Sequence, residues 1–393
     1  MKNIFHEAIG SVNRTNPIGS KRQDEPTLLV RRTHPVASFF VILLFALMGS
    51  ATFGQEKSFS IPQPNYEFQF PRDHGSHPDF KIEWWYITGH LKSESERRFG
   101  FQATFFRLAN VDAETHIYMA HMAVSDPDTG TFLHEERLNR EGWDAFSKVE
   151  DLDLRNGNWT LKRQFDGEMD LIGSVQSKAG FSLKLSPAQS HVIFGKDGIS
   201  KKGADASAAS YYITYPRLDV SGELQFKGEK MAVTGEAWMD HEISSSQLDR
   251  NQVGWDWIQI QFDDGRELMG YILREEDGKP SPFSSLNWID QDGSITVQKP
   301  DSYEWKAGGF WKSKATGANY PTSPTIKTTD PKTGKPIVLK SRPTIKNQEM
   351  TGKIGGVSYW EGAGDVLDGS GKVIGKSFLE LTGYVGDLGE KLR

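Results

Sequence analysis

The chain has no cysteine in 393 residues, which excludes disulfides, cysteine nucleophiles and thiolate metal sites together. Catalysis, if there is any, has to use oxygen and imidazole groups. Positive charge is also short: 46 Lys and Arg stand against 52 Asp and Glu, a net charge of -6. There is no basic stripe to neutralise phosphates, so nucleic acid is not an expected partner. A G-x-S-x-G elbow, a P-loop, a dinucleotide fingerprint and an H-E-x-x-H helix are all missing, and serine hydrolase, NTPase, NAD-enzyme and zincin readings lose their usual support. From Phe59 onward the sequence offers no convincing long amphipathic helix. The only long apolar run is VASFFVILLFALMGSATF, Val36 to Phe53.

That run follows a basic leader with Lys21, Arg22, Arg31 and Arg32 and ends in small residues before Gly54. It reads as a signal segment with cleavage near Gly54, which predicts a periplasmic or secreted protein, although the stretch before the apolar run is long for a signal. An uncleaved anchor is the competing reading, since 18 apolar residues just span a bilayer. Membrane association through the N-terminal segment therefore stays open. A twin-arginine reading of Arg31 and Arg32 is weaker, because RRTHP lacks the apolar residues expected after the pair.

What is present is β sequence. There are 39 glycines, above the roughly 7 percent usual, and 11 tryptophans, and apolar residues recur with period two in short runs bounded by Gly, Asp, Asn and Pro. The pattern predicts strands at Trp84–Leu91, Arg98–Leu108, Ile117–Asp126, Phe181–Ser186, Arg217–Phe226, Trp255–Phe262, Glu267–Glu275 and Ser377–Val385. Many short strands with tight turns imply an all-β barrel or sandwich. WWYITGHL, a charged turn and RFGFQATFFR parallel WDWIQIQF, DDGR and ELMGYILR, each a Trp-led strand, a turn and a strand ending in Arg107 or Arg274. The halves read as two related β units, although β hairpins share this pattern generically. We place the boundary at Lys227 to Met231, giving a leader 1–54, a first domain 55–228 and a second domain 229–393. The Pro-, Thr- and Lys-rich stretch Ala315–Pro336 reads as a long surface loop.

The stretch GEAWMDHEISSSQL, Gly235 to Leu248, sets three ionisable groups in a row. On a strand, Trp238, Asp240 and Glu242 share one face and Met239 and His241 the other. Two neighbouring carboxylates push one pKa up, leaving one group able to donate a proton near neutrality while the other stays ionised. If the strand instead ends at Trp238, His241 converges with them, since ISSSQL reads as loop. A solvated acidic turn is the structural alternative, and a metal site is disfavoured because adjacent residues seldom supply several ligands. Glu83 and Asp256 stand among tryptophans, where a buried carboxylate is costly unless bonded or functional; at expected strand starts both read first as structural. Trp255, Trp257, Gln259 and Gln261 share a face suited to a cavity wall, and His121 reads as a core histidine.

EWWYITGHL (Glu83 to Leu91), GFQATFFR (Gly100 to Arg107), GEAWMDHEISSSQL, GWDWIQIQFDDGRELMGYILR (Gly254 to Arg274) and YWEGAGDV with FLELTGYV (between Tyr359 and Val385) together resemble the AttH-like, carotenoid 1,2-hydratase-related lipocalin-like family, whose members are often labelled secreted hydrolases. The resemblance runs from about Tyr66 to Val385. It implies two lipocalin-like antiparallel β-barrel units packed together, with a ligand cavity in or between them. It also implies that Asp240, His241 and Glu242 match a D-H-E motif and Glu83, Trp84, Trp85 and Tyr86 an E-W-W-Y motif. Hydratases, ring-forming enzymes and members without assigned activity occur among such proteins, so the fold carries over further than the activity. The expectation is an exported enzyme without cofactor or metal that hydrates or hydrolyses an apolar, lipid- or isoprenoid-like small molecule. Asp240, His241 and Glu242 are the candidates for catalysis, and Glu83, Trp84, Trp85, Tyr86, Trp238, Trp255 and Trp257 for substrate binding. A carrier of an apolar ligand is the alternative.

Overall fold

The computed structural model describes residues 58–110, 115–354, 356–386 and 388. The leader and the Val36–Phe53 run lie outside the described residues. Among those described, no helix is long and apolar enough to cross a membrane.

The chain folds into two antiparallel β-barrel units, as the resemblance implies. The leading strand of the first, Ile82–Ser93, forms a meander with Arg98–Ala109, His116–Asp126 and Thr131–Arg140. Its other edge pairs with the closing strand Glu229–Ser246, which pairs in turn with the penultimate strand Ala209–Phe226. The second unit repeats this plan. Its leading strand Gln252–Phe262 starts a meander through Glu267–Glu275, Ser285–Ile289 and Ile295–Gln298 and pairs with the closing strand Val373–Leu381, which pairs with the penultimate strand Tyr359–Leu367. The strands led by Trp84 and Trp255 therefore hold equivalent places, and the repeat is a feature of the fold.

Alternation along the leading strands divides the apolar residues between separate cores. Trp85, Ile87 and Leu91 fill the first barrel, and Ile258, Ile260 and Phe262 the second. Trp84, Tyr86, Trp255 and Trp257 point outward from both barrels into a shared third cluster at the seam. Polar clasps close the seam. The Gln261 amide donates to the carbonyls of Pro216 and Ala237 at 2.9 Å, and Arg217 pairs with Glu267 at 2.8 Å across the two units.

Three expectations change. Lys227 and Gly228 form a hairpin turn inside the first sheet, so the chain leaves that sheet only after Ser246, because Glu229–Ser246 is needed to close the first barrel. Ile243–Ser246 is strand, not loop: Ile243 is fully buried and the Ser244 hydroxyl donates to Ala209 O. The stretch 315–336 contains the strands Asn319–Pro321 and Thr325–Thr329, whose Tyr320 and Ile326 enter the second core; threonine favours the pleated surface even in a Pro- and Lys-rich stretch.

Gly235, opposite Leu91 on the closing strand, is held by close approach. A Cβ there would lie 1.9 Å from the His90 carbonyl oxygen. Gly235→Ala is expected to destabilise the chain by about 1–3 kcal/mol, read as a lower midpoint in denaturant unfolding with unchanged slope.

Candidate functional site

The register of the leading and closing strands sets Trp84 opposite Glu242, Trp85 opposite His241 and Tyr86 opposite Asp240. One face of this ladder turns into the first barrel and the other into the seam.

Inside the barrel, Glu83 is a fully buried hub. One carboxylate oxygen accepts from His77 Nδ1 and His241 Nε2, each at 2.9 Å; the other accepts from the His77 amide, the Ser76 hydroxyl and Arg107 Nε at 2.9–3.0 Å. Burial alone would raise its pKa, but the two histidines and Arg107 hold the carboxyl well below its ordinary range. Burial lowers the pKa of His241, whose ring stacks on Trp85 at 4.6 Å. His77 runs the other way: its bonds to Asp73 and Glu83 outweigh burial and raise it. His77, Glu83 and His241 do bring three possible ligand atoms within 4.8 Å of one another. The guanidinium of Arg107 already neutralises the carboxylate there, so the group reads as an ion-pair and hydrogen-bond network.

On the seam side a cavity of about 530 Å³ opens between the barrels. Trp84, Tyr86, Tyr212, Asp240 and Glu242 line it from the first unit, and Trp255, Trp257, Tyr271, Tyr359 and Glu380 from the second. Phe106, Leu108, Ile117 and Met119 continue the wall toward the exposed Leu138 and Ile354. Asp240 is buried and accepts from the Tyr212 hydroxyl at 2.6 Å, Thr214 Oγ1 at 2.6 Å and Trp238 Nε1 at 2.7 Å. Burial outweighs those donors, and with the charge of Glu242 nearby its pKa rises to about 7. Glu242 forms an ion pair with the fully buried Lys202 at 3.0 Å and accepts from the Ser210 hydroxyl. Lys202 lies over the rings of Tyr271 and Tyr212, 4.0 and 4.6 Å from their centroids. The arrangement places a carboxyl that is part-protonated near pH 7 beside the Glu242–Lys202 ion pair in an aromatic, largely apolar chamber.

The expected site residues thus separate. Asp240, Glu242, Trp84, Tyr86, Trp255 and Trp257 line the cavity, and Trp238 backs Asp240. His241, Glu83 and Trp85 face the opposite side of the same ladder; because the strand runs on to Ser246, His241 never converges with the acids. Sequence reading missed Lys202, Tyr212, Thr214, Glu380 and the cavity role of His121, whose Nδ1 lies 2.6 Å from the Tyr359 hydroxyl. The alternation of SYYITY carried a signal for Ser210, Tyr212 and Thr214 sharing one face. Lys202, on the short strand Ser200–Lys201's trailing edge, carried none.

The AttH-like family profile matches residues 61–384. The crystal structure of an AttH protein from Nitrosomonas europaea is 34% identical, with a TM-score of 0.75 over 83% of this chain and 100% of that one. Kievitone hydratase from Nectria haematococca (14% identity, TM-score 0.62, 83% and 98% covered) and CghA solved with Sch210972 (11%, 0.51, 84% and 98%) share the fold. No curated protein sequence matches the chain.

Two substitutions distinguish the faces. Glu83→Gln leaves Arg107 buried without its charge partner and is expected to cost on the order of 3 kcal/mol of stability, measured by denaturant unfolding. Asp240→Asn removes a group that favours the folded state fully below its ordinary pKa of 3.8 and loses that contribution as pH rises through about 7. The stability of Asp240→Asn relative to the parent should therefore increase across that window; a pH-independent difference would contradict a neutral buried Asp240.

Proposed function

The chain belongs to the AttH-like family, and on that premise we propose that it is an enzyme adding water to a double bond of an apolar, isoprenoid-like molecule held between its barrels. The observation that carries this reading is Asp240: a buried carboxylic acid at a wall of aromatic rings, with its pKa raised to about 7. A neutral acid of that kind delivers a proton to an alkene carbon. The resulting cation meets the faces of Trp84, Trp255 and Trp257, whose quadrupoles attract positive charge. Glu242, paired with Lys202 at 3.0 Å, lies beside it as a further electrostatic partner for the cation. Water then closes on the cation to give the alcohol. His241, expected among the candidates for catalysis, takes no part, since it is bonded to Glu83 on the other face.

A fold neighbour is itself named a hydratase, kievitone hydratase, which agrees with this chemistry without naming the substrate here. The Val36–Phe53 segment supports export as part of the same proposal.

The C15 isoprenoid alcohol farnesol, incubated with the full chain in water labelled with heavy oxygen, is expected to gain the label. Asp240→Asn should lower that incorporation by about 10²–10⁴-fold. In the parent the rate should fall on the alkaline side of about 7, where Asp240 loses its proton. Farnesol bound but never labelled, with Asp240→Asn binding it equally well, would favour a carrier instead.

A further inference from the structure

We propose that Glu380 and Glu361 form a second acid–base centre of the same cavity, which takes up the proton that the adding water loses; this rests on the hydration reading above. The internal repeat locates the pair. In the first barrel Asp240 stands opposite Tyr86, two residues after Trp84; in the second Glu380 stands opposite Trp257, two residues after Trp255. On the penultimate strands Thr214 stands opposite Asp240 and Glu361 opposite Glu380, with Tyr212 and Tyr359 each two residues earlier. Glu380 therefore holds in the second barrel the place that Asp240 holds in the first. Where the first barrel sets a threonine hydroxyl against its acid, the second sets another carboxyl.

Structure alone does not call for this exchange. Carboxyls directly across an antiparallel pair are close neighbours, and like charges there are destabilising. Both are buried. Glu380 lines the cavity and accepts from Trp255 Nε1 at 2.9 Å, while the Glu361 carboxyl faces the hydroxyls of Tyr86 and Tyr359. The titratable groups facing the pair are Asp240, Glu242, Tyr86, Tyr271 and Tyr359, with Lys202 engaged by Glu242. Burial and the charges of Glu242 and Asp240 raise Glu380 to about 7, and burial together with the charge of Glu380 pushes Glu361 well above its ordinary range. The two protons thus leave in separate steps belonging to the pair. Near neutrality Glu380 is part-ionised and can accept a proton.

The step balances. Asp240 gives its proton to one alkene carbon, the water oxygen bonds to the other, and the proton of that water passes to the Glu380 carboxylate. The substrate has gained H and OH. Exchange with solvent at the exposed part of the lining, which includes Leu138 and Ile354, returns a proton from the pair to Asp240.

Infrared difference spectra of the full chain across the neutral pH range test the pair without any substrate. Glu380→Gln should abolish a protonated-carboxyl band that Glu361→Gln shifts, and Asp240→Asn should abolish a different one. Two bands lost independently, or no band lost in Glu380→Gln, would overturn the proposal. With farnesol in deuterated, oxygen-labelled water, Glu380→Gln should keep deuterium entry at the alkene carbon while oxygen incorporation falls about 10²-fold; Asp240→Asn should lose both. Equal loss of both labels in Glu380→Gln would mark a structural role and overturn the assignment. Glu380→Asp serves where the amide does not fold, with partial oxygen incorporation expected. Absence of farnesol turnover in the parent counts against hydration alone, and the infrared bands then decide the pair.

Discussion

Side chains reverse direction at every residue of a strand, so the pairing of Ile82–Ser93 with Glu229–Ser246 commits each ionisable group on either strand to one of two environments. Glu83 and His241 enter the first barrel; Asp240 and Glu242 enter the seam. A slip of one residue would exchange them, placing an unpaired imidazole among the cavity tryptophans and two acids in the apolar barrel core. The Glu83–Arg107–His241 network guards against that slip, because its partners are fixed on three segments and a displaced member would leave a buried charge alone. The order of the polar groups inside the barrel thus secures the order of the cavity acids outside it.

Period-two alternation made most of the fold legible in the sequence. It located the leading strands, the split between Trp255 and Trp257 on one face and Ile258 and Ile260 on the other, and the two-unit repeat. Where tertiary pairing overrides local composition, the sequence was silent. Ser244, Ser245 and Ser246 look like loop, yet the long closing strand continues through them because Ala209–Phe226 supplies their partners. Ala315–Pro336 looks like loop, yet Tyr320 and Ile326 have a core to enter.

The site was half legible for a related reason. Asp240 and Glu242 sit within one short motif, and their shared face follows from spacing alone. Their surroundings come from far along the chain. Thr214 and Tyr212 reach Asp240 across the penultimate strand, Lys202 reaches Glu242 from a short neighbouring segment, and Glu380 arrives from the second barrel about 140 residues later. No local pattern marks a lysine as the counter-ion of a buried acid, because what makes it one is burial produced by the packing of two units. His241 shows the converse: adjacency in sequence suggested convergence, and the pleat kept it apart.

The cavity wall is drawn from the outer faces of both barrels and from the interior of neither. A molecule seated there is held by Trp84 and Tyr212 on one side and by Trp257 and Tyr271 on the other, so it adds to the cohesion of the seam beside the Arg217–Glu267 clasp. By mass action, anything that binds this assembled state in preference to the parted one stabilises it. Occupancy of the cavity and rigidity of the two-barrel body are thereby linked, and a ligand acts as mortar between two blocks that each keep their own core.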